Sequence, residues 1–227
     1  MPEKVDRIPG STAAGTPVSP VADPGVDPVV QTVCGTAGQT RALARALGAQ
    51  LSGGDVVVLS GPLGAGKTTF VQGLAVGLGV TAPVTSPTFV LARHQRPDPR
   101  GPRPDGPDLV HVDAYRLDGA LELDDLDLDS DLDSSVVVVE WGEGLAERLS
   151  PVRVEVHLDR ATGTVATAAV RTAAVRAVDA TDDGATDDGA TDDGGTGDEP
   201  RTVRVRLVGA DPVRAERLCR VMRGVPC

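Results

Sequence analysis

Val56-Val57-Val58-Leu59-Ser60-Gly61-Pro62-Leu63-Gly64-Ala65-Gly66-Lys67-Thr68-Thr69, residues 56–69, decides the reading of the fold. An apolar β-branched run leads into Gly-x-x-x-x-Gly-Lys-Thr, and a helical pattern begins at Lys67. Strand, glycine-rich loop and helix in that order form a phosphate-binding loop. Gly61, Gly64 and Gly66 let the backbone turn tightly and aim N–H groups at phosphate oxygens. Ala65 and Thr69 belong to the same binding stretch. The helix adds its own unpaired N–H groups and the positive end of its dipole. Lys67 can reach the β- and γ-phosphates, and the Thr68 hydroxyl can ligate Mg²⁺. The expected ligand is therefore the polyphosphate of a nucleoside triphosphate, with magnesium.

Outward from this loop, strands and helices alternate. Val29–Cys34 reads as a strand and Gln39–Gln50 as a helix weakened at Gly48. Asp55–Ser60 reads as a strand buried on both faces, and Lys67–Leu78 as a helix closed by Gly79. Residues 84–91 read as a loop running into a strand, and the Pro- and Gly-rich stretch 95–108 as a long surface loop. Leu109–Tyr115 and Ser135–Trp141 read as strands ending near acids, followed by a short helix over Glu143–Leu149. Val152–Leu158 and Arg201–Val208 alternate like the two arms of a hairpin, and Asp211–Arg223 closes the chain as a helix. The fold class expected is α/β, a P-loop NTPase-like three-layer sandwich with a mixed, mainly parallel sheet.

The organisation expected is a disordered leader over 1–27 and a nucleotide-binding domain over 28–160. A disordered acidic insertion then covers 161–200, and a strand and helix over 201–227 complete the domain. The insertion holds three copies of Ala-Thr-Asp-Asp-Gly at 180–194 and too little apolar surface to offset ordering entropy. It lacks the spacing of calcium-binding repeats. Net charge is −11, with a further acidic run at 121–133, so strong direct binding to nucleic acid is not expected. No apolar run is long enough to span a membrane, and no secretory signal is read at the N-terminus. The three cysteines, Cys34, Cys219 and Cys227, show no metal-binding spacing and fit a reducing cytoplasm. Cys34 reads as a small buried residue, the other two as incidental.

Hydrolysis or transfer needs a magnesium site and an oriented nucleophile as well as a phosphate loop. Asp113 and Glu140 each end an apolar strand, where parallel sheets place their ligands. Either acid suits Mg²⁺, which takes a few carboxylates together with phosphate oxygens. Thr88 has two readings: a hydroxyl that senses the γ-phosphate, or part of a turn set by Pro87. His111 reads as packed or solvated rather than catalytic. His94 and His157 receive no role. Trp141, the only tryptophan, reads as a lid over the nucleotide or as core packing.

Gly61–Thr69, Ser86-Pro87-Thr88-Phe89, His111-Val112-Asp113-Ala114-Tyr115-Arg116-Leu117 and Val139-Glu140-Trp141 follow one another in an order and spacing that resembles the TsaE (YjeE) family. The resemblance covers about residues 29–160 and, more loosely, 200–225. It implies a compact P-loop ATPase of the pathway that installs threonylcarbamoyladenosine in tRNA. Such a protein hydrolyses ATP slowly and binds the TsaD–TsaB pair, which performs the transfer. By position, Gly64–Thr68 hold phosphates, Thr68 and Glu140 are associated with the metal, and Asp113 is an essential acid beside it. Thr88 matches a switch-like threonine, and Thr36 a contact near the base. Pro62 stands where the family usually has an acid, and the 161–199 insertion interrupts a hairpin that carries a further nucleotide contact in the family.

Two other functions compete. A small-molecule kinase would need an acceptor pocket and an Arg-bearing lid, for which Arg93, Arg96, Arg100 and Arg103 could be offered. A non-catalytic, ATP-gated module would dock a partner through the acidic 121–133 segment.

Overall fold

The computed structural model describes residues 27–87, 91–116, 132–160 and 199–226. Seven strands form one sheet in the order β1-β7-β6-β2-β5-β4-β3. They are β1 (Val29–Cys34), β2 (Val56–Ser60), β3 (Ala92–Gln95), β4 (Asp108–Asp113), β5 (Ser135–Glu140), β6 (Arg153–Arg160) and β7 (Arg201–Val208). The helices are α1 (Ala37–Gly48), α2 (Lys67–Leu78) and α3 (Pro212–Arg223). The four central strands, β6, β2, β5 and β4, run parallel, and antiparallel pairs close both edges. The sheet is mixed, with its parallel part at the centre, as the sequence predicts.

Every residue of β2 is buried, which its unbroken apolar run requires of a strand with parallel neighbours on both sides. One sheet face packs against all three helices, through Leu43 and Leu47 of α1, Phe70 and Leu74 of α2, and Leu218 and Met222 of α3. Cys34 and Cys219 are both buried in this core, so Cys219 is a packed core residue rather than an incidental one. The other face carries a smaller cluster built on Val56, Val58, Val110, Val112, Val137 and Val139. The helix expected over Glu143–Leu149 is a single 3₁₀ turn, Ala146–Arg148, that seats Ala146 in this cluster. Gly144, at φ 77°, stands inside the expected helix and confines it to the last residues.

β6 and β7 pair antiparallel from Arg153↔Val208 to Arg160↔Arg201. The two arms read from alternation are therefore one hairpin. Most of the expected insertion, 161–198, lies outside the described residues, as do 1–26 and 117–131. Residues 84–87 carry no regular structure, and the strand into which the 84–91 stretch is expected to run begins at Ala92. The strand expected over Leu109–Tyr115 ends at Asp113, where a 3₁₀ turn over Ala114–Arg116 takes over.

α1 and α2 meet backbone to backbone. A Cβ at Gly73 would stand 2.2 Å from Arg41 O, and one at Gly48 would stand 2.3 Å from Leu74 O. Gly48 therefore permits a close crossing rather than merely weakening a helix end. Beyond that crossing, the proline-rich loop delivers Arg103. Its Nη1 donates to Gly48 O at 3.1 Å and Gly77 O at 3.3 Å, and its Nη2 donates to Leu51 O at 2.8 Å. One guanidinium thus adds a donor to carbonyls at the C-terminal ends of both helices, Gly48 O among them although it also accepts from the Leu51 N–H at 3.2 Å. Hydrogen bonds to a charged donor are the stronger kind. Arg103→Ala is expected to lower folding stability by about 2–3 kcal/mol, read as a shift of the urea midpoint at unchanged slope. A midpoint equal to that of the unsubstituted chain would contradict this role.

Candidate functional site

The carboxyl ends of β2, β4, β5 and β6 lie at one edge of the parallel sheet, and the start of β7 and the end of β1 come to the same edge. The glycine-rich loop leaves β2 there and enters α2. Gly61 has φ 128°, and a Cβ on it would stand 2.0 Å from Leu158 O, so only glycine fits. Gly64 and Gly66 also have positive φ, and Gly66 is the N-cap of α2. Arg201, at the start of β7, donates from Nε to Ala65 O at 3.1 Å. Arg160, at the end of β6, lies against Gly64, where a Cβ would stand 2.9 Å from its Nη2. The two residues flanking the interrupted hairpin thus hold the loop from one side, across a sequence separation that local patterns do not reveal.

Lys67 is buried at the first position of α2. Its Nζ donates to Gly61 O at 2.8 Å and to Pro62 O at 3.0 Å, and lies 3.5 Å from the centre of the Trp141 ring. Burial holds its pKa below the ordinary lysine value, although the Glu140 and Asp113 carboxylates pull the other way. Trp141 is neither plain core nor solvent-facing. It takes φ 61°, a costly backbone for a tryptophan, and its N–H donates to Leu59 O at 2.9 Å. Tyr115 stacks obliquely on the Trp141 ring, with centroids 5.1 Å apart. The indole therefore covers the lysine, with Tyr115 against its ring.

Thr68 donates from Oγ1 to Glu140 Oε1 at 3.0 Å. A hydroxyl and a carboxylate side by side at a helix N-terminus are oxygen donors of the kind that hard divalent cations take. Among the described residues, no group of three or more His, Cys, Asp or Glu forms a self-sufficient metal site. Asp113 is in register with Glu140 on the neighbouring strand and is also buried. Its oxygens accept from Ser86 Oγ at 3.1 Å and from the Tyr115 N–H at 3.1 Å. It therefore ties down the loop that leads towards Thr88, which itself lies outside the described residues.

Thr36 is the N-cap of α1. Its Oγ1 accepts from the Gln39 N–H at 3.1 Å, while Gln39 Oε1 accepts from the Thr36 N–H at 3.2 Å. This capping box occupies the side chain that the resemblance assigns near a base, at the same sheet edge as the glycine loop. Two histidines left without roles have partners: His94 with Asp108 at 2.9 Å, and His157 with Ser60 Oγ at 2.8 Å. An open cleft of about 340 Å³ lies on the sheet surface between Ser60, His157, Glu155 and Arg204. Neither acid of the strand ends lines it, nor does Lys67. Its walls are already paired, Arg204 with Gln31 and Arg206 with Asp27.

The family model described as "Threonylcarbamoyl adenosine biosynthesis protein TsaE" matches residues 34–168. The chain belongs to the TsaE family. That stretch contains the glycine loop, Lys67, Thr68, Asp113 and Glu140 together. Among curated relatives, the tRNA threonylcarbamoyladenosine biosynthesis protein TsaE of Mycobacterium bovis is 59% identical over 122 residues, covering 51% of this chain and 70% of that one. Its namesake from Streptomyces coelicolor is 57% identical over 122 residues, covering 53% and 78%. The Bacillus subtilis protein of that name is 41% identical over 109 residues, covering 48% and 63%. Among solved structures, Bacillus subtilis YdiB superposes with a TM-score of 0.55 at 26% identity, covering 87% of this chain and 95% of that one. The α/β fold and a place in tRNA threonylcarbamoyladenosine biosynthesis follow from this membership. Among the described residues, no helix is long and apolar enough to cross a membrane.

Proposed function

We propose that the protein is a magnesium-dependent ATPase that serves the TsaD–TsaB pair as an accessory switch in tRNA threonylcarbamoyladenosine modification. One observation carries the reading: Thr68 Oγ1 meets Glu140 Oε1 at 3.0 Å, at the mouth of the glycine loop and next to Lys67. The donor set fits magnesium. Thr68 and Glu140 would hold the ion, together with phosphate oxygens and water. When bound, the ion would neutralise charge that develops on the transferring phosphoryl group.

The chain's own residues do the remaining work. The amides of the glycine loop and of the first turn of α2 bind phosphate oxygens. Lys67 leaves the carbonyls of Gly61 and Pro62 for the β- and γ-phosphates. The Glu140 carboxylate holds the Thr68 hydroxyl in place and is available to orient an attacking water. Asp113 anchors the Ser86 loop and, through the Tyr115 amide, the aromatic cover of Lys67. A charge-stabilised site beside a loop and a cover is suited to slow, gated hydrolysis, with the partner controlling the gate.

Lys67 gives this reading a pH signature. Its pKa is lowered in the free protein by burial, and a triphosphate beside the ammonium raises it. Binding therefore takes up protons between the two values, and affinity falls as pH rises through that window. Calorimetry at alkaline pH in buffers of different ionisation enthalpy should register this uptake. Heats independent of the buffer would contradict it.

The kinase alternative loses one of its four lid arginines, because Arg103 is spent on helix carbonyls at the far end of α2 from the glycine loop. The docking segment of the non-catalytic alternative lies outside the described residues from 121 to 131. ATP hydrolysis measured with and without purified TsaD–TsaB tests the proposal. Phosphate release stimulated by the pair supports it. Release that ignores the pair, or transfer of label to a metabolite, overturns it.

A further inference from the structure

The least expected residue in the site is His111. It stands in the middle of β4 at 1% exposure, between the buried Val110 and Val112. Its Nε2 lies 2.9 Å from Glu140 Oε1, the same oxygen that accepts from Thr68. A carboxylate can only accept, so the proton of a neutral ring sits on Nε2 and Nδ1 is left as an acceptor. That Nδ1 is buried and has no hydrogen-bond partner among the described residues. Buried polar atoms without partners are uncommon and costly, and an aliphatic residue would fill the space without that cost.

We propose that His111 is a positioning residue for Glu140. A glutamate at a strand end can turn about its last bond. The His111 N–H fixes Oε1, and with it the direction in which the carboxylate addresses Thr68, the metal and the attacking water. His111 acts through Glu140 and touches neither phosphate nor nucleophile. It has the place of an outer partner that orients a metal-associated carboxylate. The inference rests on the ATPase reading above and assigns a residue that the reading itself does not use.

The test compares His111→Leu, which deletes the donor, with His111→Gln, which returns an N–H near the position of Nε2. In His111→Leu, kcat should fall and the magnesium concentration for half-maximal nucleotide binding should rise, each by about 10- to 100-fold. Nucleotide affinity at saturating magnesium should stay within about threefold, and His111→Gln should recover most of both losses. A His111→Leu variant with unchanged kcat and magnesium dependence overturns the proposal. So does a loss of affinity and thermal stability in parallel with kcat that His111→Gln does not repair, because that is the pattern of a packing residue. ¹⁵N spectra of the imidazole give a readout free of turnover, in which the Nε2–H tautomer is expected and an Nδ1–H tautomer contradicts the geometry. Unsubstituted protein that binds Mg·ATP without hydrolysing it would remove the ATPase reading, yet the magnesium titration would still decide the role of His111. Protein that binds no Mg·ATP overturns both.

Discussion

Lys67→Ala will weaken Mg·ATP binding by about 100- to 1,000-fold and remove detectable hydrolysis with it. The ammonium is the one lysine charge in the glycine loop, and the rest of the cradle is made of backbone dipoles. Charge-assisted hydrogen bonds are worth about 1.5–3 kcal/mol each, and the lysine serves two phosphate groups. Two such contacts amount to about 3–6 kcal/mol, and giving up the Gly61 and Pro62 carbonyls offsets part of that, which leaves about 3–4 kcal/mol, or two to three decades in Kd. In the free protein Nζ rests on two carbonyls and beneath an indole, already partly stripped of water. That pre-organisation means little further desolvation is needed when phosphate arrives. The substitution should leave the fold intact, because the large side chains of the core lie along the helices and strands and Lys67 is not one of them. Equilibrium binding to the variant, with a melting curve as control, checks this. Normal hydrolysis by well-folded Lys67→Ala would refute the site assignment.

Glu140→Gln will uncouple binding from turnover, with nucleotide binding kept within about tenfold while hydrolysis falls by about 10²- to 10⁴-fold. Glutamine has the same shape, and its amide oxygen can still accept from Thr68 and His111. What disappears is the negative charge beside the threonine hydroxyl. Without that charge the side chain cannot draw a proton from water or neutralise a cation. Binding survives because the amides and Lys67 supply most of the attraction for phosphate. Single-turnover phosphate release alongside a binding titration separates the two effects. A variant that turns over at the normal rate would move the catalytic role away from Glu140.

The parts of this molecule legible in its sequence are those with local causes. β1, α2 and β7 have the residue bounds expected of them; β7 alternates, and α2 is an apolar run that starts at the glycine loop and is closed by Gly79. The glycine loop is legible because its spacing and flanks admit few other structures. β3 is not, since Ala92-Arg93-His94-Gln95 is a short, partly exposed edge strand with no apolar alternation to announce it. The expected helix after Trp141 contracted to one turn because two glycines, Gly142 and Gly144, precede its apolar residues.

Within the site, the residue types were readable and their pairings were not. Asp113 and Glu140 stood out as acids at strand ends, but the bond from His111 to Glu140 depends on the register of β4 against β5. The side-to-side alternation that set His111 apart from Val110 and Val112 was the available signal, since Glu140 faces the same way from the next strand. Arg201 reaches Ala65 across 136 positions, and Arg103 reaches Leu51 across 52. No periodicity carries such information. Trp141 could be read either way because its placement over Lys67 needs a left-handed backbone that its neighbours do not signal.

The direct test of the central claim, that a triphosphate seats on the amides of the glycine loop against Lys67 and Thr68, is a calorimetric titration of the 227-residue chain with Mg·ATP. The account expects saturable heat at one nucleotide per chain, much weakened when magnesium is chelated. Folded protein that yields no heat of association, with or without magnesium, would contradict it.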